Sequence, residues 1–213
     1  MKASLFWNVI SLGTEFLIGF VSLTLVSRLF NAEATGTWVL MLTILFLITK
    51  MREGMIQNAL VKFSAVTNST IASTARVRSL HFLVVFELAI AIIGFVSALI
   101  FPNHLISPFI QWIGLISFPQ ALYRFGLNLL QAQLKNREMA ISNSVLFLGM
   151  MSSLGLLFFL NGSFNSLIFI YSVVFGLSSV LLFGFFLRNL LWEFNSESLP
   201  FSVFFHYIKH GFL

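Results

Sequence analysis

The sequence predicts an all-α fold, a polytopic bundle of transmembrane helices, and three observations predict it. Of 213 residues 58% are hydrophobic and only 9% charged, against about 25% charged in an ordinary soluble domain. Apolar runs of the roughly 20 residues needed to cross a bilayer recur along the whole chain. Short connections separate these runs, and the basic residues collect in alternate connections.

Taken in order, the first span is expected over 9–29. Lys2, the apolar stretch and Ala32-Glu33-Ala34 imitate a secretory signal, but the stretch is too long and carries Glu15 and Arg28, so it is expected to be retained. The second span, 37–63, is less regular. Trp38 to Thr49 runs through Lys50-Met51-Arg52-Glu53 into Ile56 to Phe63, which reads as one long helix with a bend at Gly54. The remaining spans are expected over 80–101, 108–130, 141–160 and 167–187. Residues 1–198 thus form a six-helix unit, and 199–213 read as the start of a seventh helix. Phe201 to Leu213 holds too few residues to cross a bilayer, so a truncated chain, or one lobe of something larger, is expected.

Orientation follows from the basic residues. Lys62, Arg76 and Arg78 lie between spans two and three, Lys135 and Arg137 between four and five, and Arg188 after six. Loops 102–107 and 161–166 contain no Lys or Arg. The positive-inside bias places the N-terminus and the charged loops in the cytoplasm, with Arg28 the exception at an outer boundary.

What is absent narrows the function. All seven acids are Glu and there is no Cys, which excludes Asp-built calcium loops, disulfides, thiol catalysis and Cys-ligated metal. There is no Gly-rich Lys loop for ATP, and outer loops 102–107 and 161–166 carry no acids to build a catalytic site. His206 and His210 have the i, i+4 spacing of a metal pair but no third ligand beside them. The net charge of +5 is not the clustered basic face of a nucleic-acid binder. No cofactor, no metal and no enzymatic activity are expected. A polar-lined bundle without catalytic groups reads as a carrier or a channel.

The polar residues inside the spans align. On a helical wheel at about 100° per residue, Asn8, Ser11, Glu15, Gly19 and Ser22 of span one share one arc. Thr43, Lys50, Glu53, Gly54 and Gln57 do so in span two, and Ser117, Gln120, Arg124, Asn128, Gln131 and Lys135 in span four. Spans three, five and six instead carry small-residue faces: Glu87, Ala91, Gly94 and Ala98; Ser142, Gly149 and Ser153; Ser172, Gly176 and Ser179. Small faces let membrane helices pack closely, and these three are expected to be scaffold. The expected cavity residues are Asn8, Glu15, Lys50, Glu53, Gln57, Gln120, Arg124 and Asn128. Two other readings stand beside that one: Glu15, Glu87 and Arg124 as a buried ion-pair network that holds the bundle together, and Lys50, Arg52 and Glu53 as residues that snorkel to the headgroups. Arg52 points away from the stripe and is the weakest cavity candidate.

Three segments resemble the bacterial O-antigen and polysaccharide flippases of the multidrug/oligosaccharidyl-lipid/polysaccharide exporter superfamily. Ser27-Arg28-Leu29-Phe30-Asn31-Ala32-Glu33-Ala34-Thr35-Gly36-Thr37-Trp38 is similar to that family's end of helix one, with Asn31 where the family usually has Gly. Arg52-Glu53-Gly54-Met55-Ile56-Gln57-Asn58-Ala59-Leu60-Val61-Lys62 resembles a stretch late in its helix two. Leu130-Gln131-Ala132-Gln133-Leu134-Lys135-Asn136-Arg137-Glu138-Met139-Ala140 resembles the segment that closes helix four and opens helix five.

The resemblance implies the N-terminal lobe of a two-lobed transporter in the bacterial inner membrane. Its cargo would be an undecaprenyl-diphosphate-linked oligosaccharide, exported to the outer leaflet by alternating access and driven by an ion gradient or the membrane potential. Lys50 and Arg124 would attract the diphosphate, and Glu15, Glu87 or Glu53 would couple to protons or pair with those cations. Polysaccharide polymerase and glycosyltransferases are the implied partners. A cation-coupled multidrug antiporter of the same superfamily and a non-transporting membrane scaffold are the alternatives.

Overall fold

The computed structural model describes residues 2–57, 60–61, 69–100, 107–160 and 162–187. Among these residues it is all-helical: α1 (Lys2–Leu29), α2 (Ala32–Arg52), α3 (Ser69–Ile100), α4 (Ser107–Ala132), α5 (Asn136–Phe159) and α6 (Phe164–Leu181). Helices α2 and α6 continue into single π-helical turns, Glu53–Gln57 and Leu182–Phe186. Gly54, where a bend is expected, lies in the first of these. The expected seventh helix, 199–213, with His206 and His210, lies outside the described residues.

Five of the helices, all but α4, are long and apolar enough to cross a membrane, and the chain is a multi-pass membrane protein. Helix α4 has the length, at 26 residues, but Gln111, Gln120, Arg124, Asn128 and Gln131 make it the polar member of the bundle. The outer faces of the other helices are apolar, with Phe16, Phe20, Val85, Ile93, Leu148 and Phe185 exposed as lipid contacts. Hydroxyls along the spans close on their own backbones, as Thr14 does on Ile10 O at 2.8 Å and Thr43 on Val39 O at 2.9 Å. That leaves few polar atoms to satisfy in hydrocarbon.

Local chemistry explains the turns. Asn31 caps α2, its side chain accepting from the Ala34 N–H at 2.8 Å, so a capping residue stands where the resembled family has Gly. Helix α4 ends in a Schellman motif: Lys135 N–H donates to Leu130 O at 3.0 Å and Leu134 N–H to Gln131 O at 2.9 Å. The position between them needs left-handed backbone, and Leu134 supplies it at φ 57° with its side chain exposed. Because a left-handed L-residue costs about 1–2 kcal/mol and Gly gives part of that back in chain entropy, Leu134→Gly is expected to stabilise the fold by about 0.5–1 kcal/mol, read as a raised thermal midpoint.

Packing pairs α3 with α4, α4 with α6, α6 with α5 and α5 with α1. The α3–α4 seam is the small-residue face expected from the sequence. Glu87 and Ala98 are buried on it, and a Cβ on Gly114 would stand 2.9 Å from Ala91 Cα, while one on Gly94 would stand 2.5 Å from Ile110 O. Gly114→Ala is therefore expected to cost about 1–3 kcal/mol, since backbone must shift to admit it. On α6 the small face is used at Ser179, whose hydroxyl lies 3.1 Å from Pro119 O and 2.8 Å from Phe175 O. Gly176 on that face meets nothing within 4 Å. Gly176→Ala should then be neutral or slightly stabilising in the same thermal unfolding measurement, where Gly114→Ala is not.

Although a two-residue turn joins α1 to α2, α1 packs mainly on α5. Trp38 of α2 is fully buried, its ring edge-on to Phe164 and, at 5.7 Å between centroids, to Tyr171 of α6. Residues of α1, α2, α4, α5 and α6 together line one opening.

Candidate functional site

That opening is a cleft of about 270 Å³ to which five helices contribute: Glu15 and Gly19 from α1, Phe46 and Thr49 from α2, Gln120, Tyr123 and Arg124 from α4, Asn143 from α5, and Tyr171 and Phe175 from α6. Four of its polar side chains, Glu15, Arg124, Asn143 and Tyr123, form one connected cluster. Arg124 Nη1 donates to Glu15 Oε1 at 2.9 Å, and each side chain is about one third exposed. Asn143, wholly buried, donates from Nδ2 to Ser11 Oγ at 2.7 Å and to Glu15 Oε1 at 3.2 Å. Its Oδ1 accepts from the Tyr123 hydroxyl at 2.8 Å. Asn143 thereby spends both ends of its amide joining α1, α4 and α5, and it holds the Glu15 carboxylate towards Arg124.

A second polar centre lies beside the cleft and touches its wall at Thr49. Arg52 Nη1 meets Glu87 Oε1 at 2.6 Å with side-chain exposures of 4% and 1%, values that make it a dry ion pair. Ser117 donates to the other oxygen of Glu87, and Arg52 Nη2 donates to Thr49 Oγ1 at 3.2 Å. The pair ties α2 to the α3–α4 seam.

Measured against the expected cavity residues, the structure brings together Glu15, Gln120 and Arg124 in the cleft wall. Lys50 and Glu53 are not in it. They pair with each other at 2.6 Å on the exposed side of α2, Lys50 also lying over the Phe46 ring. The cause is the burial of Arg52: residues two apart on a helix point about 200° from one another, so seating Arg52 on Glu87 turns Lys50 outward. Lys50 and Glu53 thus lie outside this cleft, and so does Arg52, the weakest cavity candidate, which is spent on Glu87. Asn8 shares the wheel position of Glu15 but sits about two turns, ~10 Å, along α1, where it is exposed. Asn128 is half-buried one turn beyond Arg124 and does not line the cleft. The Gln57 side chain lies outside what the structure describes. In place of the one network that was the alternative reading for Glu15, Glu87 and Arg124, there are two separate pairs, Arg124–Glu15 and Arg52–Glu87.

No family model, curated protein or solved structure matches the chain.

Asn143 and Tyr171 lie on α5 and α6, the helices expected to be scaffold, and Tyr123 lies off the polar stripe of α4. Two signals point to them. Among 27 Phe there are three Tyr, and a phenol placed where a Phe would pack as well needs a partner for its hydroxyl. Asn143 is an amide within a span, where an unpaired polar group costs several kcal/mol. Among the described residues no group of three or more acids and His is placed to hold a metal. The arrangement supplies paired charge, amides and aromatic walls, the kinds of group that can orient a polar molecule.

Proposed function

We propose that this chain is the substrate-handling lobe of an inner-membrane exporter that moves an undecaprenyl-diphosphate-linked oligosaccharide from the cytoplasmic to the outer leaflet. The observation that carries the reading is the polar cleft, with its Glu15–Arg124 pair, opening between helices whose other faces are apolar. Ionisable groups at bilayer depth are costly and mark the paths of polar cargo. The three segments similar to polysaccharide flippases support the choice of cargo, and the basic loops support a cytoplasmic N-terminus. On this account the lipid tail stays in the bilayer while sugars and diphosphate pass along the cleft. An inside-negative potential favours outward movement of the anionic cargo by about 2.3 kcal/mol per charge per 100 mV, and nucleotide is not needed. Glycosyltransferases that build the repeat unit and a polymerase that consumes it are the expected partners.

The mixed charge of the cleft favours this reading over extrusion of organic cations, because Arg124 would repel such a substrate from the side where Glu15 would draw it. Deleting the gene is expected to abolish surface polysaccharide, with lipid-linked repeat units accumulating, and to leave efflux of a cationic dye unchanged. Normal polysaccharide with lost dye efflux would contradict the proposal.

A further inference from the structure

Each basic residue near the cleft is already neutralised. Arg124 is held by Glu15 at 2.9 Å and Lys50 by Glu53 at 2.6 Å. A wall of paired charge attracts a free diphosphate weakly but suits uncharged hydroxyls, which accept from the cation and donate to the carboxylate. Two further polar atoms support this. Gln120 Oε1 and Arg124 Nε are buried and have no hydrogen-bond partner in the structure. They come from residues four apart on α4, one helical turn and hence one face. One is an acceptor and the other a donor, and each is costly while unpaired. Neighbouring hydroxyls, each able to donate and accept, satisfy both once Gln120 swings towards the cleft it lines. The remaining wall is aromatic, from Phe46, Tyr171 and Phe175, and presents the apolar surface that the C–H face of a sugar ring packs against. The volume of about 270 Å³ lies at the small end of ligand sites, which run about 300–1,000 Å³, and so suits a single ring and not a whole lipid-linked oligosaccharide.

We infer that the cleft is a subsite for one uncharged, hydroxyl-bearing sugar ring of the cargo, and that the diphosphate is held elsewhere along the path. The inference rests on the exporter reading for the identity of that cargo, but its test is a binding measurement and does not depend on transport.

The test uses the full chain in phosphatidylcholine nanodiscs, with methyl glycosides of glucose, galactose and N-acetylglucosamine followed by saturation-transfer NMR. At least one glycoside is expected to bind, and Gln120→Leu to weaken it at least fivefold. Inorganic pyrophosphate at the same concentration is expected not to displace it. Glu15→Gln, which frees the charge of Arg124, is expected to bind pyrophosphate at least tenfold more tightly than the parent, and this arm reads the neutralisation independently of Gln120. Absence of binding by every glycoside, displacement by pyrophosphate from the parent, an unchanged affinity of Glu15→Gln for pyrophosphate, or Gln120→Leu retaining full glycoside affinity would each overturn the inference. Adding phosphatidylglycerol separates a headgroup diol from a sugar: displacement by that lipid with no response to glycosides also overturns it. If glycosides bind yet no lipid-linked oligosaccharide is moved, the exporter reading fails and the subsite stands.

Discussion

Arg52→Met alone is expected to destabilise the protein by about 3–5 kcal/mol, the range found when one partner of a buried ion pair is removed. The magnitude follows from the surroundings. Glu87 is 1% exposed and Arg52 4%, so the substitution strands a carboxylate in a dry seam between α2, α3 and α4, with the Ser117 hydroxyl as its remaining partner. Arg52→Met combined with Glu87→Leu removes both charges and is expected to recover most of the loss, because two well-packed apolar residues replace a pair whose desolvation cost offsets much of its attraction. Denaturant or thermal unfolding of the parent, both single variants and the double variant gives the coupling directly. Additive losses would contradict the pairing.

The largest effect on function is expected at the other pair. Arg124→Ala should lower transport at least tenfold while costing only about 1 kcal/mol of stability, since the Glu15–Arg124 pair is one third exposed on each side and such pairs contribute little to folding. The loss of function has a separate cause: without Arg124 the cleft holds an uncompensated Glu15, which repels an anionic cargo and leaves Gln120 and Asn143 facing a displaced carboxylate. Complementation of a flippase-null strain reads the first effect and thermal unfolding the second. Full complementation by Arg124→Ala would contradict the role given to it.

The contrast between these two pairs shows how far the sequence could be read. Runs of apolar residues located the helices, since length and hydropathy alone decide whether a segment can span a bilayer. The face of Glu87, Ala91, Gly94 and Ala98 was legible for a similar reason: small residues at helical spacing have a single use in a membrane, close approach, and α4 fills that face. A polar stripe is weaker information. It shows that residues share a side of their helix but not which neighbour that side meets, which is a property of how each helix is rotated in the bundle. Helix α2 demonstrates this. Its visible stripe of Thr43, Lys50 and Glu53 faces outward, while Arg52, isolated on the wheel, finds Glu87 from 35 residues away. Glu15 and Arg124 were legible as members of stripes, and Asn143 was not, because a lone amide in a span forms no pattern until the residues that it bridges are known.

The central claim is that the cleft forms part of a path for lipid-linked oligosaccharide, and reconstitution tests it most directly. Purified chain in proteoliposomes loaded with undecaprenyl-diphosphate-linked oligosaccharide, under a potential that favours outward movement of negative charge, should expose the sugars to an externally added glycosidase. Arg124→Ala should slow that exposure at least tenfold. Exposure no faster than in protein-free vesicles, or equal rates for the parent and Arg124→Ala, would contradict the account.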